Sequence, residues 1–284
     1  MKKETEAIEV LSNERLAEDV FALSFRAPYI AEVARAGQFV MIMACEKSER
    51  IPLTIADRDK ETGSVTLVFK VMGRSSSDLS FMKKGDSLFY AAGPLGKPAV
   101  FPDGPGRAIA VGGGIGLALI FPVIKEMTAK GLSVSTIAGV RENKFLFWDD
   151  RLRAGSEKFC LTSDDGSCGE KDFVTGPLKR ELEAGGDIKI VYAVGPVIMM
   201  KTVADLTRTY GVATMVSLNP IMVDGTGMCG SCRVNIAGKT RFACVDGPDF
   251  DAHEVDFNEL ISRLSLYKDK EEEASRAPHK CRCL

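Results

Sequence analysis

The amino-acid sequence predicts a β-barrel plus α/β fold class: an antiparallel barrel, then a parallel-sheet domain, then a small C-terminal unit rich in cysteine. Three observations support this class. Short β-rich segments occupy residues 5–98, strands alternate with helices from residue 107, and Gly and Cys are concentrated in residues 221–257. A chain of 284 residues is long enough for two or three such units.

The charge balance excludes several classes of partner. Lys and Arg number 37 and Asp and Glu number 39, so the net charge is −2, which gives no reason to expect nucleic acid or a membrane surface as partner. No apolar run is long enough to span a membrane, and the first residues lack the apolar core of a secretion signal. Eight cysteines without a secretion signal favour thiols or metal ligands over disulfides, and hence a reducing cytoplasm.

Five segments of the first unit read as strands of a small antiparallel barrel or sandwich. Each is short, partly β-branched or aromatic, and bounded by Gly, Pro or Asp. They comprise residues 7–11, 20–25, 37–43, 64–70 and 87–91. The Gly- and Pro-rich segment 92–106 follows them, and we interpret it as a domain boundary.

Two motifs in this unit have the chemistry of a phosphate site. In Arg50-Ile-Pro-Leu-Thr54, which we expect at the end of a strand, the guanidinium can bind a pyrophosphate and the threonine can donate to a flavin nitrogen. The alternative is an edge strand ended by proline. In Gly73-Arg-Ser-Ser-Ser77 the backbone N–H groups and hydroxyls before a helix can hold a phosphate, or can simply cap the helix.

The second unit has strands at 107–111, 132–140 and 188–194, with a glycine turn after the first of them. Gly112-Gly-Gly-Ile-Gly116 follows a strand and opens a helix, which is the context of a dinucleotide-binding turn. It departs from the Gly-x-Gly-x-x-Gly fingerprint because Leu117 stands at the sixth position. The sequence therefore predicts either a variant phosphate-binding turn or an ordinary tight turn.

A second glycine motif lies at the carboxyl end of the last of these strands. Gly195-Pro196 allows a flat ring to lie close to the chain, and Met199 and Met200 can pack on it. Ordinary helix core is the alternative interpretation for the two methionines.

Three cysteines and an aspartate form the most distinctive motif. Cys229 and Cys232 are three residues apart in a glycine-rich loop, and Cys244 returns after a hairpin-like stretch. The plant-type [2Fe–2S] spacing has a fourth cysteine five residues before the first of these, where this chain has Asp224. A carboxylate can replace one thiolate. The alternatives are structural zinc held by the three cysteines and His253, or three ordinary thiols.

Taken in order, these motifs resemble those of the ferredoxin–NADP reductase superfamily. The C-terminal cysteines make the chain resemble the electron-transfer subunits of dihydroorotate dehydrogenase. It is still more similar to the small subunits of NADH-dependent ferredoxin:NADP oxidoreductase, also called sulfide dehydrogenase. Asp224 in place of the first cysteine is a feature of this last branch.

The resemblance implies FAD, NAD(H) and a [2Fe–2S] cluster as cofactors, bound by a FAD-binding barrel domain (1–98), an NAD(P)-binding domain (106–220) and a [2Fe–2S]-binding unit with tail (221–284). Thr54 would stand near the reactive flavin nitrogen as the catalytic residue. Asp224, Cys229, Cys232 and Cys244 would be the metal ligands. The cofactor-binding residues would be Arg50, Pro52, Leu53, Thr54, Gly73, Ser75, Ser76, Gly112, Gly113, Gly114, Gly116, Asp164, Asp165, Gly166, Gly195, Pro196 and Met199.

The resemblance also implies a function. Hydride would pass between NAD(H) and FAD, and single electrons would pass on through the cluster, within a bifurcating enzyme. The partner would be a larger flavin and [4Fe–4S] subunit in a heterodimer, with ferredoxin served indirectly. Alternatives are service to dihydroorotate oxidation, sulfide or polysulfide reduction, and a zinc-stabilised regulatory module without turnover. NADP(H) stays open, because Arg141 and Glu142 both follow the second strand.

Overall fold

We describe residues 7–266 of the chain in a computed structural model. Cys281 and Cys283, which the sequence predicts to be free thiols, lie outside the described residues. The predicted class is confirmed: a nearly closed antiparallel barrel precedes a domain with a parallel sheet. No helix of residues 7–266 is long and apolar enough to cross a membrane.

The barrel has seven strands in the order β6-β1-β2-β5-β4-β3-β7. Alternate residues of its strands, such as Leu23, Phe25 and Leu67, have no exposed surface and fill the interior. Its strands are β1 (Ile8–Ala17), β2 (Val20–Arg26), β3 (Phe39–Met43), β4 (Ile51–Asp59), β5 (Ser64–Lys70), β6 (Ser87–Leu88) and β7 (Tyr90–Leu95), and its helices are α1 (Pro28–Val33) and α2 (Arg74–Ser80).

The position of the Arg50–Thr54 motif differs from the sequence-based expectation. Arg50 precedes β4, and Pro52 and Thr54 lie at its beginning rather than at the end of a strand. β4 pairs with β3 and β5, so the interpretation as an edge strand was wrong. The segment at 87–91 is also two strands, and β7 extends into the Gly- and Pro-rich segment.

The second sheet is parallel over six strands, in the order β11-β10-β9-β8-β12-β13, and β16 adds an antiparallel strand to its edge. β14 and β15 form a separate hairpin. The strands are β8 (Arg107–Gly113), β9 (Ser133–Val140), β10 (Lys158–Ser163), β11 (Glu170–Lys171), β12 (Ile188–Val194), β13 (Thr214–Ser217), β14 (Arg233–Ile236), β15 (Lys239–Phe242) and β16 (Asp249–Asp251).

Six further helices accompany this sheet, two of which carry the predicted nucleotide motifs at their N-termini. They are α3 (Gly116–Ala129), α4 (Asp149–Ala154), α5 (Thr175–Glu183), α6 (Val197–Thr209), α7 (Ala243–Asp246) and α8 (Phe257–Ser265). Pro122 lies inside α3 without ending it, although a proline removes one helix hydrogen bond. Leu117, Ile120 and Ile124 are buried on the helix, and this packing stabilises it across the missing bond.

The hydrophobic cores join the barrel to the sheet. One core combines the barrel residues Ala22 and Val68 with α3 and one face of the sheet. Another combines Phe39 and Met41 of β3 with the opposite face, α6, α8 and the β14–β15 hairpin. Because both cores include barrel residues, and the second also includes the β14–β15 hairpin, the barrel is packed against the parallel-sheet domain.

Candidate functional site

A cavity of about 160 Å³ lies where the barrel meets the carboxyl ends of the parallel strands. We call it the central cavity. Its lining includes Pro52 and Thr54 of β4, Gly116 of α3, Gly195 after β12, and Met222. Ligands of open α/β sheets bind at this edge, so the cavity joins predicted flavin and nucleotide residues. A larger cavity of about 390 Å³ beside α5 contains none of the predicted site residues.

Glycine is required at several positions of the predicted dinucleotide-binding turn, because other parts of the chain approach its backbone closely. A Cβ atom on Gly116 would lie 2.1 Å from the carbonyl oxygen of Val194, and one on Gly113 would lie 2.4 Å from Met199 Sδ. A Cβ atom on Gly195 would lie 2.9 Å from the Gly113 oxygen. The ends of β8 and β12 and the start of α3 are therefore packed backbone to backbone, which no larger residue permits.

The other two glycines of the turn have different roles. A Cβ atom on Gly112 would meet Ile120 Cδ1 at 2.7 Å, so this glycine admits the core of α3. Gly114 has φ of +56° and open space around its Cβ position. Its N–H donates to the carbonyl oxygen of Gly139 at 2.9 Å. The open face at Gly114 leaves room for a phosphate at the helix start.

Pro196 and Met199 lie at the start of α6. The two methionines of this helix, Met199 and Met200, have different environments. Pro196 is exposed at the N-cap of α6. Met199 is half-buried against Gly113 and Gly195 beside the central cavity. Met200 has no exposed surface and belongs to the core, as the alternative interpretation predicted for it.

The predicted FAD phosphate residues come together at the start of α2. The backbone N–H of Glu49, next to Arg50, donates to Ser75 Oγ at 3.3 Å. Ser76 Oγ accepts from the N–H of Gly73 at 3.1 Å and so caps its own helix. The exposed Arg50 guanidinium lies 5.9 Å from the Tyr90 ring centroid. The arrangement fits a phosphate held by Arg50 beside α2, with Ser76 serving mainly as a cap.

Asp164, Asp165 and Gly166 form an exposed turn after β10, at the same edge of the sheet as the nucleotide turn. Asp165 accepts hydrogen bonds from the hydroxyl and the N–H of Ser167, and these lower the pKa of its carboxyl. The turn is two strands away from β8, so a ligand reaching both must extend across β9.

The cysteine loop brings two of its thiols into contact. Cys232 Sγ and Cys244 Sγ lie 3.2 Å apart and are buried. Two thiolates on one tetrahedral metal with bonds of ~2.3 Å lie about 3.8 Å apart. Burial, the Cys232 thiol and the charge of Asp224 raise the pKa of Cys244 to about 12. A nearby cation favours the thiolate form of Cys244, and a metal centre would supply that cation.

Asp224 lies at the other side of the same loop. Its carboxylate accepts the N–H groups of Thr226 and Cys229, both at 2.8 Å, and these bonds lower its pKa. The Cys229 thiol is exposed and bonds Ser231 Oγ at 3.1 Å, which lowers its pKa. The loop supplies Asp224, Cys229 and Cys232, and α7 supplies Cys244. Three thiols and one carboxylate have the donor chemistry of an iron–sulfur ligand set, so the residues fit this group.

The structure does not bring all of the predicted metal ligands together. Within residues 7–266, no three His, Cys, Asp or Glu side chains converge closely enough to hold a metal ion as they stand. His253 Nε2 lies 3.0 Å from Thr207 Oγ1 on α6, so its ring nitrogen already has a partner there. This gives the zinc interpretation with His253 no geometric support.

Several lining residues of the central cavity were missing from the sequence-based site. Ser217 at the end of β13, Pro248 before β16 and Phe39 of β3 contribute to its wall. Phe39 and Ser217 reach the cavity because of the way their strands pair with other strands. The sequence of a short β segment does not reveal this pairing. The Gly247-Pro248 pair was the available signal, since such dipeptides mark turns.

The chain is similar to several known proteins. Residues 219–256 match the family model for the iron–sulfur cluster binding domain of dihydroorotate dehydrogenase B. A dihydroorotate dehydrogenase B (NAD(+)) electron transfer subunit homolog of Thermotoga maritima is 43% identical, over 93% of this chain and 92% of that protein. The electron transfer subunit of Geobacillus thermodenitrificans is 30% identical, over 88% and 98%.

Solved structures extend the likeness to three dimensions. A chain of an NADH-dependent reduced ferredoxin–NADP oxidoreductase, described in terms of flavin-based electron bifurcation, is 40% identical with a TM-score of 0.89, covering 96% of this chain and 98% of that one. Phthalate dioxygenase reductase, at 19% identity and a TM-score of 0.59 over 81% and 85%, shares the fold. The chain belongs to the family of dihydroorotate dehydrogenase B electron-transfer subunits and their homologues.

Proposed function

We propose that this chain is the flavin and iron–sulfur electron-transfer subunit of an NADH-dependent ferredoxin:NADP oxidoreductase, moving electrons between NAD(H), FAD and a [2Fe–2S] cluster. One observation supports it above the others. The central cavity is lined by Thr54 of the barrel, by Gly116 and Gly195 of the nucleotide motifs, and by Met222, two residues before Asp224. Two redox groups and a nucleotide can therefore meet at one place.

The barrel would hold FAD with its ring toward the central cavity. Arg50 would bind the pyrophosphate beside the start of α2, where Gly73 and Ser75 lie, and Pro52 and Leu53 would contact the flavin. Thr54, within the cavity wall, would donate to the flavin nitrogen that exchanges hydride. These residues orient the ring and exclude water from the face that the nicotinamide approaches.

The parallel-sheet domain would bring the nicotinamide to that face. Gly114, with its open Cβ side, would approach the phosphates at the start of α3, and the Asp164–Gly166 turn would contact the nucleotide farther along the edge. Gly195, Pro196 and Met199 would form the floor under the ring. Glu142 Oε2 lies 3.3 Å from Lys144 Nζ, so this carboxylate has a partner within the protein. NAD(H) is proposed on family likeness, and NADP(H) stays open.

The glycine-rich loop would hold the cluster. Cys229, Cys232, Cys244 and Asp224 are its proposed ligands, and the cluster supplies one-electron exchange when bound. Gly225 packs against barrel strand β3, since a Cβ atom on it would lie 2.7 Å from Met41 Cγ. Met41 is paired with Pro52. This contact holds the loop next to the proposed flavin strand, so electrons have a short path between them.

The proposed partner is a larger subunit. The relatives are named electron transfer subunits, which implies an enzyme with a separate catalytic subunit. We propose that this subunit carries flavin and [4Fe–4S] centres, forms a heterodimer with this chain and exchanges electrons with ferredoxin, so that electrons can be bifurcated. The chain that is 40% identical comes from an NADH-dependent reduced ferredoxin–NADP oxidoreductase, which is described in terms of flavin-based electron bifurcation.

Service to dihydroorotate oxidation is the second candidate, because the family model and several relatives are named for that enzyme. Co-purification from the native host separates the candidates, including sulfide or polysulfide reduction. A large flavin and iron–sulfur subunit supports the main proposal, whereas a dihydroorotate dehydrogenase catalytic subunit supports the second. A colourless protein with bound zinc would contradict both and favour a regulatory module.

A further inference from the structure

A buried carboxyl group lies directly behind the wall of the central cavity. Asp249 begins β16, and its Oδ2 accepts the hydroxyl of Tyr192 at 3.0 Å. Its Oδ1 is fully buried and has no hydrogen-bond partner among residues 7–266. Buried polar atoms are nearly always paired, so an unpaired carboxyl oxygen in this position calls for a functional explanation.

Three parts of the chain meet at this carboxyl group. Tyr192 belongs to β12 of the parallel sheet, and Ser217 of β13 is paired with Asp249 across the β13–β16 ladder. On the barrel side, a Cβ atom on Gly37 would lie 2.8 Å from Asp249 Oδ2. The N–H of Lys97, also in the barrel unit, donates to the Gly247 carbonyl oxygen at 2.6 Å. Asp249 therefore lies in the joint between barrel and sheet.

This joint also shapes the central cavity. Ser217 is the strand partner of Asp249, and Pro248 precedes Asp249 in the chain. Both residues line the cavity wall. The N–H of Leu218, another lining residue, donates to the Pro248 carbonyl oxygen at 3.0 Å. A shift of Asp249 would be passed to this wall through its strand partner Ser217 and through its peptide link to Pro248, which is hydrogen-bonded to Leu218.

The surroundings favour the neutral form of this carboxyl group. Asp249 has no ion-pair partner among the described residues. Burial raises its pKa to about 7, although hydrogen bonds from the side chains of Ser217 and Tyr192 act in the opposite direction. The titratable group that faces it is Tyr192, whose pKa burial raises well above its ordinary value, so Tyr192 remains a neutral donor. Ser217 and Gly37, which face it from the other elements, carry no charge. Two neutral hydroxyl donors do not replace the hydration that an anion loses on burial.

We propose that Asp249 is a positioning residue of the central cavity, which as a neutral carboxylic acid holds the barrel against the parallel sheet and which loosens this joint when it ionises. The proposal rests on the proposed function, because the cavity is taken to bind the flavin and nicotinamide rings. An ionised Asp249 attracts water into the joint, and the Ser217–Pro248 wall then no longer fits the rings.

The test compares Asp249→Asn with Asp249→Ala in the full chain. Asparagine stays neutral and can still accept the Tyr192 hydroxyl, whereas alanine removes the contact. The apparent dissociation constant for NAD⁺ is measured by titration of the FAD-loaded protein. Wild-type affinity should fall about thirty-fold between about pH 6 and about pH 8.5 if binding requires the neutral acid, since each unit above the pKa gives up to tenfold. Asp249→Asn should remove this dependence, and Asp249→Ala should bind weakly at both values.

Infrared spectroscopy of the flavin-free protein gives an independent readout. The carbonyl band of a protonated, buried carboxylic acid should be present at about pH 6, should disappear above about pH 8, and should be missing in Asp249→Asn. A carboxylate at about pH 6, or the same pH dependence of NAD⁺ binding in Asp249→Asn and wild type, would overturn the inference. A protein that binds no FAD would instead overturn the proposed function, so the two failures are distinguishable.

Discussion

Asp224 is the residue that separates this chain from a four-thiolate site. Its carboxylate already accepts the N–H groups of Thr226 and Cys229, so the loop turns around it before any metal is bound. A harder oxygen ligand should change the redox potential of the cluster relative to four thiolates. The position therefore combines a structural role in the turn with a proposed ligand role.

Replacement of Asp224 distinguishes these roles. We expect Asp224→Ala to lose most of its iron, because the substitution removes one ligand together with the two hydrogen bonds that the carboxylate accepts from backbone N–H groups. Asp224→Cys should retain iron, since it restores the plant-type ligand spacing. Iron and acid-labile sulfide per chain are the measurements. An unchanged iron content in Asp224→Ala would remove Asp224 from the ligand set.

The close approach at Gly116 predicts a strong effect of a single methyl group. A Cβ atom there would lie 2.1 Å from the Val194 oxygen, so Gly116→Ala should force β12 and α3 apart, lower the free energy of unfolding by about 2–4 kcal/mol and abolish nucleotide binding. Gly73→Ala is the matched control, because Gly73 has extended backbone and no atom within 4 Å of its Cβ position. Chemical denaturation of both variants checks the difference; equal losses would contradict the packing described.

At the level of elements, Asp57 of β4 links the barrel to both α3 and α4. Arg151 of α4 donates to Asp57 Oδ2 of β4 at 2.5 Å, and its guanidinium lies 4.2 Å from the ring centroids of both Phe121 and Trp148. Lys125 of α3 is also 3.2 Å from Asp57. α3 begins at the nucleotide turn, so these contacts fix the turn relative to the flavin strand.

We expect Arg151→Lys to be nearly as harmful as Arg151→Ala, because a lysine replaces the planar stacking group with a point charge. Each should lower the free energy of unfolding by about 1–2 kcal/mol, the upper part of the range for a half-exposed ion pair with two cation–π contacts. Lys125→Ala removes the longer ion pair and the more distant cation–π contact with Phe121, at 5.1 Å, so it is the control and should cost less. A lysine variant as stable as wild type would show that charge alone is sufficient.

Sequence patterns predicted the elements whose residues alternate or repeat clearly. β5 and β12 have the predicted bounds, and the hairpin between Cys232 and Cys244 is present. β4 was not predicted as a strand beginning at the Arg50 motif, because its polar residues lack a simple alternation and its pairing with β3 and β5 is long-range. Local patterns do not contain the information on which strand lies next to which.

The residue types of the candidate site were predicted from the sequence, but the place where these residues meet was not. The glycines of the nucleotide motifs and Thr54 were found because their chemistry is visible in short motifs. Ser217 and Asp249 were not, because their proximity depends on the antiparallel β13–β16 pair at the edge of a parallel sheet. The domain bounds remain a prediction, and β16 joins the parallel sheet although its residues lie in the predicted C-terminal unit.

At the scale of the whole molecule, Asp249 should make stability depend on pH. Its pKa is about 7 in the folded chain and 3.8 ordinarily, so the folded state binds more protons between these values and stability falls as pH rises through this range. Asp249→Asn should remove this term. From about pH 4 to about pH 8, the free energy of unfolding of this variant should therefore rise relative to that of wild type by up to about 4 kcal/mol. A constant difference across this range, measured by denaturant titration, would mean that Asp249 does not titrate in the folded state.

The proposed function requires that one chain holds a two-electron flavin next to a one-electron cluster, with NADH as donor. An anaerobic titration with NADH, followed by visible absorption of the reconstituted protein, measures this electron transfer. We expect uptake of about three electrons per chain, two by FAD and one by the cluster, and both absorption bands should bleach. Uptake of only two electrons, with iron present but unchanged in its spectrum, would contradict electron transfer from the barrel to the cysteine loop.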